Sequence, residues 1–251
     1  MDTIDAHCHL DLCQHPETVL ERARRAGVGR ILTVSEDLAS MRRALQLKER
    51  YTDQVLAGLG IHPARTVTMS AEEAEVELRF IADHLALADV LGEVGLDYKW
   101  ALSAEQREHQ RALLDSQLEL AAVNGKPINV HSRRAQRPAM ERAIRFKRET
   151  GLSALMHWFT ASKKLVKNCA AEGLFVSVGP SVLYHDGTRK VAATIPLDLL
   201  LVETDSPVAY QGEPAEPAKA AEVTGALAGL FGITAEELAE RVRHNFVRYL
   251  S

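Results

Sequence analysis

Residues 3–10 read Thr3-Ile4-Asp5-Ala6-His7-Cys8-His9-Leu10, a short apolar run that stops on two histidines set two positions apart. In an extended chain alternate residues point to the same side, so His7 and His9 can turn both imidazoles toward one ion. Two unrelated surface histidines are the plain alternative. The same construction recurs further along: Val90-Leu91-Gly92 runs into Glu93, Ile128-Asn129-Val130 into His131, Leu155-Met156 into His157, and Leu201-Val202 into Glu203-Thr204-Asp205. Taken singly, each has an ordinary explanation, such as a carboxylate that caps a turn or a histidine satisfied within a core. Taken together, they are a set of metal-binding side chains at the ends of apolar runs, with none in the middle of a helical pattern.

The runs that carry them belong to a longer alternation. Short stretches rich in β-branched residues predict strands over Thr3–His9, Arg30–Val34, Val55–Ile61, Val90–Gly92, Pro127–His131, Ala154–His157, Leu174–Val178 and Leu199–Glu203. Helical periodicity predicts Pro16–Ala26, Leu38–Glu49, Ala71–Leu87, Ala104–Val123, Arg134–Thr150, Lys163–Ala171, a weak segment near Thr188–Ala193, Pro217–Leu230 and a final helix Thr234–Leu250. Ser70-x-x-Glu73, Ser103-x-x-Gln106 and Thr234-x-x-Glu237 read as capping boxes, and Gly125, Gly151 and Gly173 as stops. Eight strands alternating with helices need a parallel sheet covered on its outer face. In 251 residues that matches a closed (β/α)8 TIM barrel, a single α/β domain over residues 1–251. An open doubly wound sheet is the alternative. The barrel is preferred because its chemistry gathers at the carboxyl ends of the strands, where the residues above stand.

Composition narrows the function classes. With 46% hydrophobic and 25% charged residues the chain can bury a substantial core, and its formal net charge of −4 supplies no global positive field for a polyanion. Any nucleic-acid contact has to be local. The three cysteines, Cys8, Cys13 and Cys169, are odd in number and lack CxxC spacing, which predicts free thiols in a reducing compartment. The opening Met1-Asp2-Thr3-Ile4-Asp5 has no basic or apolar leader character, and no run of about 18 apolar residues occurs, so a soluble cytoplasmic protein without membrane contact is expected. No sequence feature points to a protein partner.

His7, His9, Glu93, His131, His157 and Asp205 are more ligands than one ion takes while keeping a position open for water, so two divalent ions about 3.5–4 Å apart are expected. Glu93, buried between glycines, needs a positive neighbour, and its two oxygens suit it to bridge both ions. Oxygen ligands favour Mg2+ or Mn2+, whereas four imidazoles lean toward Zn2+, Mn2+ or Fe. Asp205 is expected to serve also as general base, which with Glu93 makes up the catalytic pair. Arg133 and Lys99 are candidates to hold a phosphate oxygen, with His62 and Glu203 lining the pocket. A surface ion pair is the plain alternative for Arg133. Tyr98, Trp100, Trp158 and Phe159 cluster after the fourth and sixth strands, where bases can stack, with core packing or a lid as the plainer account.

The motifs Asp5-Ala6-His7-Cys8-His9-Leu10, Gly60-Ile61-His62-Pro63, Gly92-Glu93-Val94-Gly95-Leu96-Asp97, His131-Ser132-Arg133 and Glu203-Thr204-Asp205-Ser206-Pro207 resemble, in order and over nearly the whole chain, those of the TatD family within the amidohydrolase superfamily. Ser177-Val178-Gly179-Pro180 and Asn245 also fit. The resemblance implies that His7, His9, Glu93 and Asp205 hold one ion while Glu93, His131 and His157 hold the other. It further implies a deoxyribonuclease dependent on magnesium or manganese, often a 3′–5′ exonuclease, acting on single-stranded DNA or RNA ends. The chain departs from the family pattern at Trp158, where cysteine is usual, and at Arg134, where an acidic residue is common. Both lie near the expected mouth and bear on substrate identity. A metal-dependent ester or amide hydrolase, such as a D-aminoacyl-tRNA deacylase, and a non-enzymatic subunit of a larger assembly are the alternatives. The intact ligand set argues against the last.

Overall fold

Eight strands pair in chain order into one parallel sheet: β1 (Thr3–Cys8), β2 (Val28–Val34), β3 (Val55–Leu59), β4 (Val90–Asp97), β5 (Ile128–Arg133), β6 (Ala154–Met156), β7 (Phe175–Val178) and β8 (Leu200–Val202). The sheet returns on itself where Asp205 N–H donates to His7 O at 3.0 Å and His9 N–H donates to Ser206 O at 2.6 Å, which closes the (β/α)8 barrel. The coordinates are a computed structural model that describes residues 2–160 and 162–251; Met1 and Ala161, inside the expected span 1–251, lie outside the described residues. β1, β3, β6, β7 and β8 are buried at every position, because one face fills the barrel and the other lies under helices.

The helices are α1 (Pro16–Arg25), α2 (Leu38–Arg50), α3 (Pro63–Thr66), α4 (Ala71–His84), α5 (Ala104–Val123), α6 (Gln136–Thr150), α7 (Lys163–Ala171), α8 (Ser181–Tyr184), α9 (Asp186–Ala192), α10 (Ala220–Phe231) and α11 (Ala235–Leu250). The three predicted capping boxes form at α4, α5 and α11, and a fourth joins Asp37 to Ser40 at α2. Gly125, Gly151 and Gly173 all adopt left-handed φ at or just beyond helix ends. Asn245 on α11 donates to Leu197 O at 2.8 Å and Leu200 O at 2.9 Å, which ties the last helix to the start of β8.

Three boundaries differ in ways that matter to the site. β4 runs on to Asp97 and β5 to Arg133, so Glu93 and His131 stand inside strands rather than just beyond or at their ends. A carboxylate breaks the apolar pattern, yet every residue of β4 is buried because the barrel interior receives Glu93 and Asp97. The helix expected from Arg134 begins at Gln136, since Arg134 takes left-handed backbone at φ 55°. Short α3 and α8, and the hairpin of β9 (Ala209–Tyr210) with β10 (Glu213–Pro214), were not predicted; two to four residues are too few to show a period.

One glycine sets the spacing beneath the site. Gly95 sits at φ 153°, and a Cβ there would lie 2.1 Å from the carbonyl oxygen of His131. Only hydrogen at that position lets β4 and β5 approach closely enough to bring Glu93 and His131 side by side.

Candidate metal centre

The six side chains singled out above converge at the carboxyl end of the barrel. They arrive from β1 (His7, and His9 just beyond it), β4 (Glu93), β5 (His131) and the segments after β6 (His157) and β8 (Asp205). Glu93 is only 2% exposed, and its two oxygens face different partners. Oε2 lies 3.4 Å from His7 Nε2 and 3.3 Å from His9 Nε2, while Asp205 Oδ1 lies 3.4 Å from each of the same two nitrogens. Oε1 lies 2.5 Å from His131 Nδ1 and 2.9 Å from His157 Nε2.

Geometry and orphaned atoms test whether a divalent cation suits these groups. Four donors about 2.1 Å from a common centre in a tetrahedron stand about 3.4 Å apart, which is the separation of both His7 Nε2 and His9 Nε2 from Glu93 Oε2 and from Asp205 Oδ1. Among the buried polar atoms without a hydrogen-bond partner, His7 Nε2 is the one that faces both Glu93 and Asp205. Buried polar atoms left unpaired are costly, and a lone pair aimed among carboxylates fits a cation. The residues fit the ion on both counts.

Neighbouring groups hold these side chains in place. His7 Nδ1 donates to Asn129 Oδ1 at 2.9 Å, since the Asn129 amide nitrogen is itself committed to Ala6 O at 3.2 Å. This leaves the Nε2 lone pair of His7 facing the site. His131 Nε2 meets Asp97 Oδ2 at 3.3 Å, a carboxylate behind a histidine. Asp5 lies below Asp205: its carboxylate accepts from Thr204 N–H at 3.0 Å and Thr204 Oγ1 at 2.5 Å, stapling the first strand to the turn after β8. Asp205 and Trp158 both hold left-handed backbone, at φ 53° and 43°, a costly conformation that clusters at functional sites.

The electrostatics are those of interlocked charge pairs. Burial opposes a charge on His9, but hydrogen bonds to Asp205 and Glu93 overcome it and push its pKa up to about 10. Burial likewise opposes His131, yet Glu93 and Asp97 raise it to about 9. His7 is held well above its ordinary value: burial again opposes, and Glu93 and Asp205 again win. Burial alone would raise Glu93 and Asp205, but the surrounding imidazoles hold both below the usual carboxylate range. His62 behaves differently. Burial dominates and pulls it down to about 3. Its Nδ1 accepts from Ala64 N–H at 3.1 Å, so the neutral ring carries its proton on Nε2, 3.6 Å from Glu93 Oε1. That tautomer presents a donor, not a lone pair, although His62, Glu93 and His131 lie close enough to share an ion.

Above these groups opens a cleft of about 770 Å3, lined by His9, His62, His131, His157, Asp205 and Arg133 among others. Two expected pocket residues stand elsewhere. Glu203 is fully buried behind His157, 3.5 Å from its Nδ1 and accepting from Ser177 Oγ at 2.6 Å, and does not line the cleft. Lys99 does not line the cleft either; its ammonium sits 5.1 Å over the Trp100 ring. Of the four aromatics expected at the mouth, Phe159 is 2% exposed within the core and Tyr98 is half-buried beneath Arg107. Trp100 and Trp158 line the cleft. Asn129, Glu36 and Arg65 escaped the sequence reading; only Asn129, a polar residue inside an apolar run, carried a signal there.

The sequence profile described as TatD related DNase matches residues 4–251. The human protein named deoxyribonuclease TATDN3 is 33% identical over 264 aligned residues, 98% of this chain and 93% of that protein. The protein of Escherichia coli K12 named uncharacterized metal-dependent hydrolase YjjV is 33% identical across 96% of this chain and 95% of its own. The crystal structure of YjjV, a TatD homologue, matches with a TM-score of 0.87 at 31% identity, covering 98% of this chain and 97% of that one. A TatD family hydrolase of Entamoeba histolytica shares the fold, with a TM-score of 0.85 at 19% identity over 99% of this chain and 98% of that one.

Proposed function

The chain belongs to the TatD family of metal-dependent hydrolases, and from that premise we propose that this single barrel, residues 1–251, is a 3′–5′ exonuclease that hydrolyses phosphodiesters at single-stranded DNA or RNA ends. Glu93 carries the proposal: one buried carboxylate turns each of its oxygens toward a separate set of imidazoles. His7, His9, Glu93 and Asp205 would hold one divalent cation, and Glu93, His131 and His157 a second. Mg2+ or Mn2+ serves activity, with Zn2+ or Fe as further species the imidazoles accept. Such ions supply Lewis acidity, lower the pKa of water, and neutralise charge on the attacked group.

The protein's own residues orient and shuttle. Asp205, 14% exposed at the base of the cleft, is placed to take the proton of the attacking water. The charges that depress its basicity sit on His7 and His9, and both rings are neutral when they act as ligands. Arg133 extends into the cleft from the end of β5 and pairs with no carboxylate among the described residues, leaving its planar fork for a phosphate oxygen. His62, neutral at working pH, offers its Nε2–H to the same group or to the leaving oxygen. Among the described residues no helix is long and apolar enough to cross a membrane, and the three cysteines are free, as a reducing cytoplasm keeps them.

The test joins metal analysis to a substrate panel of 3′-labelled oligonucleotides, aminoacyl-tRNA and phenyl esters. The wild type releases 3′ nucleotides with Mg2+ or Mn2+ and none with EDTA, and Glu93→Ala and Asp205→Ala fold but do not turn over. Cleavage of the aminoacyl ester or the phenyl ester alone, or full activity in either variant, overturns the proposal.

A further inference from the structure

The rim of the cleft carries a file of aromatic rings that the chemistry above does not use. Trp158 follows β6, Tyr184 ends α8 beyond β7, and Tyr210 lies in β9 beyond β8, so three successive strands each deliver one ring. The Trp158 and Tyr210 centroids stand 6.1 Å apart at 38°, and those of Tyr210 and Tyr184 stand 5.4 Å apart at 25°. Trp158 lines the cleft next to His157, Tyr210 is half-buried, and Tyr184 is 44% exposed. The file therefore leads from the metal centre out to solvent. Core packing accounts for Phe159, which has gone inside, but not for these three rings.

The same cleft also carries two guanidinium groups. Arg65 and Arg133 line the cleft beyond β3 and at the end of β5; Arg65 also reaches Glu77 at 3.4 Å, while Arg133 has no such partner among the described residues. A cleft that carries guanidinium groups, with a file of aromatic rings at its edge, complements a polymer with phosphates on one edge and flat bases on the other. The positive charge is local, as a chain of net charge −4 requires.

We propose that Trp158, Tyr210 and Tyr184 form a stacking platform for unpaired nucleobases, with the base next to the reacting phosphate on Trp158 and those further along the strand toward Tyr184. The proposal rests on the exonuclease reading and specifies its substrate as a strand unpaired over about three nucleotides, one per ring. Stacking uses the π-face that every base has, so the platform is tolerant of sequence.

The test is calorimetric titration of the manganese-loaded protein with phosphorothioate oligothymidylates of one to six nucleotides, and with a blunt duplex. Affinity rises stepwise with the first few nucleotides and then levels, and the duplex binds more weakly than the single strand. Trp158→Ala, Tyr210→Ala and Tyr184→Ala each remove a step and weaken hexamer binding on the order of ten-fold, whereas the corresponding Phe variants keep the profile. Tyr184→Ala, at the exposed end, is the variant least exposed to folding defects. Alanine variants with an unaltered length profile overturn the platform while leaving the exonuclease intact. Failure of the folded, metal-loaded wild type to bind any oligonucleotide overturns both.

Discussion

Asn129 Oδ1 accepts the Nδ1 proton of His7 at 2.9 Å, and that hydrogen bond decides which nitrogen of His7 faces Glu93 and Asp205. Without it the ring can rotate or change tautomer and present a proton where a lone pair is needed. Asn129→Ala is expected to keep the fold and to lower divalent-ion affinity about 10–100-fold, the usual effect of losing a partner behind a ligand. Competition against a fluorescent chelator reads this directly, and unchanged affinity removes the assigned role.

Metal binding should release protons. In the protein without ions His9 and His131 titrate near 10 and 9, both raised, so each is protonated at pH 7.5 and has to become neutral to act as a ligand. The sign follows: apparent affinity climbs as pH rises from 7 toward 10, and proton release vanishes above that window. Calorimetry at pH 7.5 in two buffers of different ionisation enthalpy gives different apparent heats if protons leave. Equal heats contradict the expectation.

Asp5 has a structural task beneath Asp205. Burial raises its pKa to about 7, against its hydrogen bonds with Thr204. Asp5→Ala leaves the Thr204 amide and hydroxyl without their acceptor, which should cost about 1–3 kcal/mol in chemical unfolding. Because Thr204 positions the strained Asp205 backbone, turnover should fall further than stability alone accounts for. A variant with normal turnover at full occupancy would separate the staple from the site.

Gly95→Ala probes the approach of β4 to β5. The new methyl would sit 2.1 Å from His131 O, so the strands have to part and the Glu93–His131 contact is lost. Overpacking of this kind costs about 1–3 kcal/mol, with a further penalty for the left-handed backbone. Thermal unfolding and metal content should fall together; a variant with wild-type Tm and full occupancy refutes the account.

The alternation of apolar runs with helical periods sufficed for the barrel and for the six convergent side chains, because strand ends mark one rim wherever they fall in the chain. The sequence could also say that Glu93, flanked by glycines and apolar residues, needed a positive neighbour. Tertiary structure decided what depends on orientation. It set the two oxygens of Glu93 toward different imidazoles, put Asn129 behind His7, and withdrew Glu203 from the cleft to a place behind His157. It also sent Phe159 inward while drawing Tyr184 and Tyr210, from elements too short to show a period, to the same edge as Trp158. Periodicity reports which residues share a face of one element. Distances between side chains on different elements depend on closure of the barrel and on the left-handed turns at Trp158 and Asp205, which no local pattern encodes.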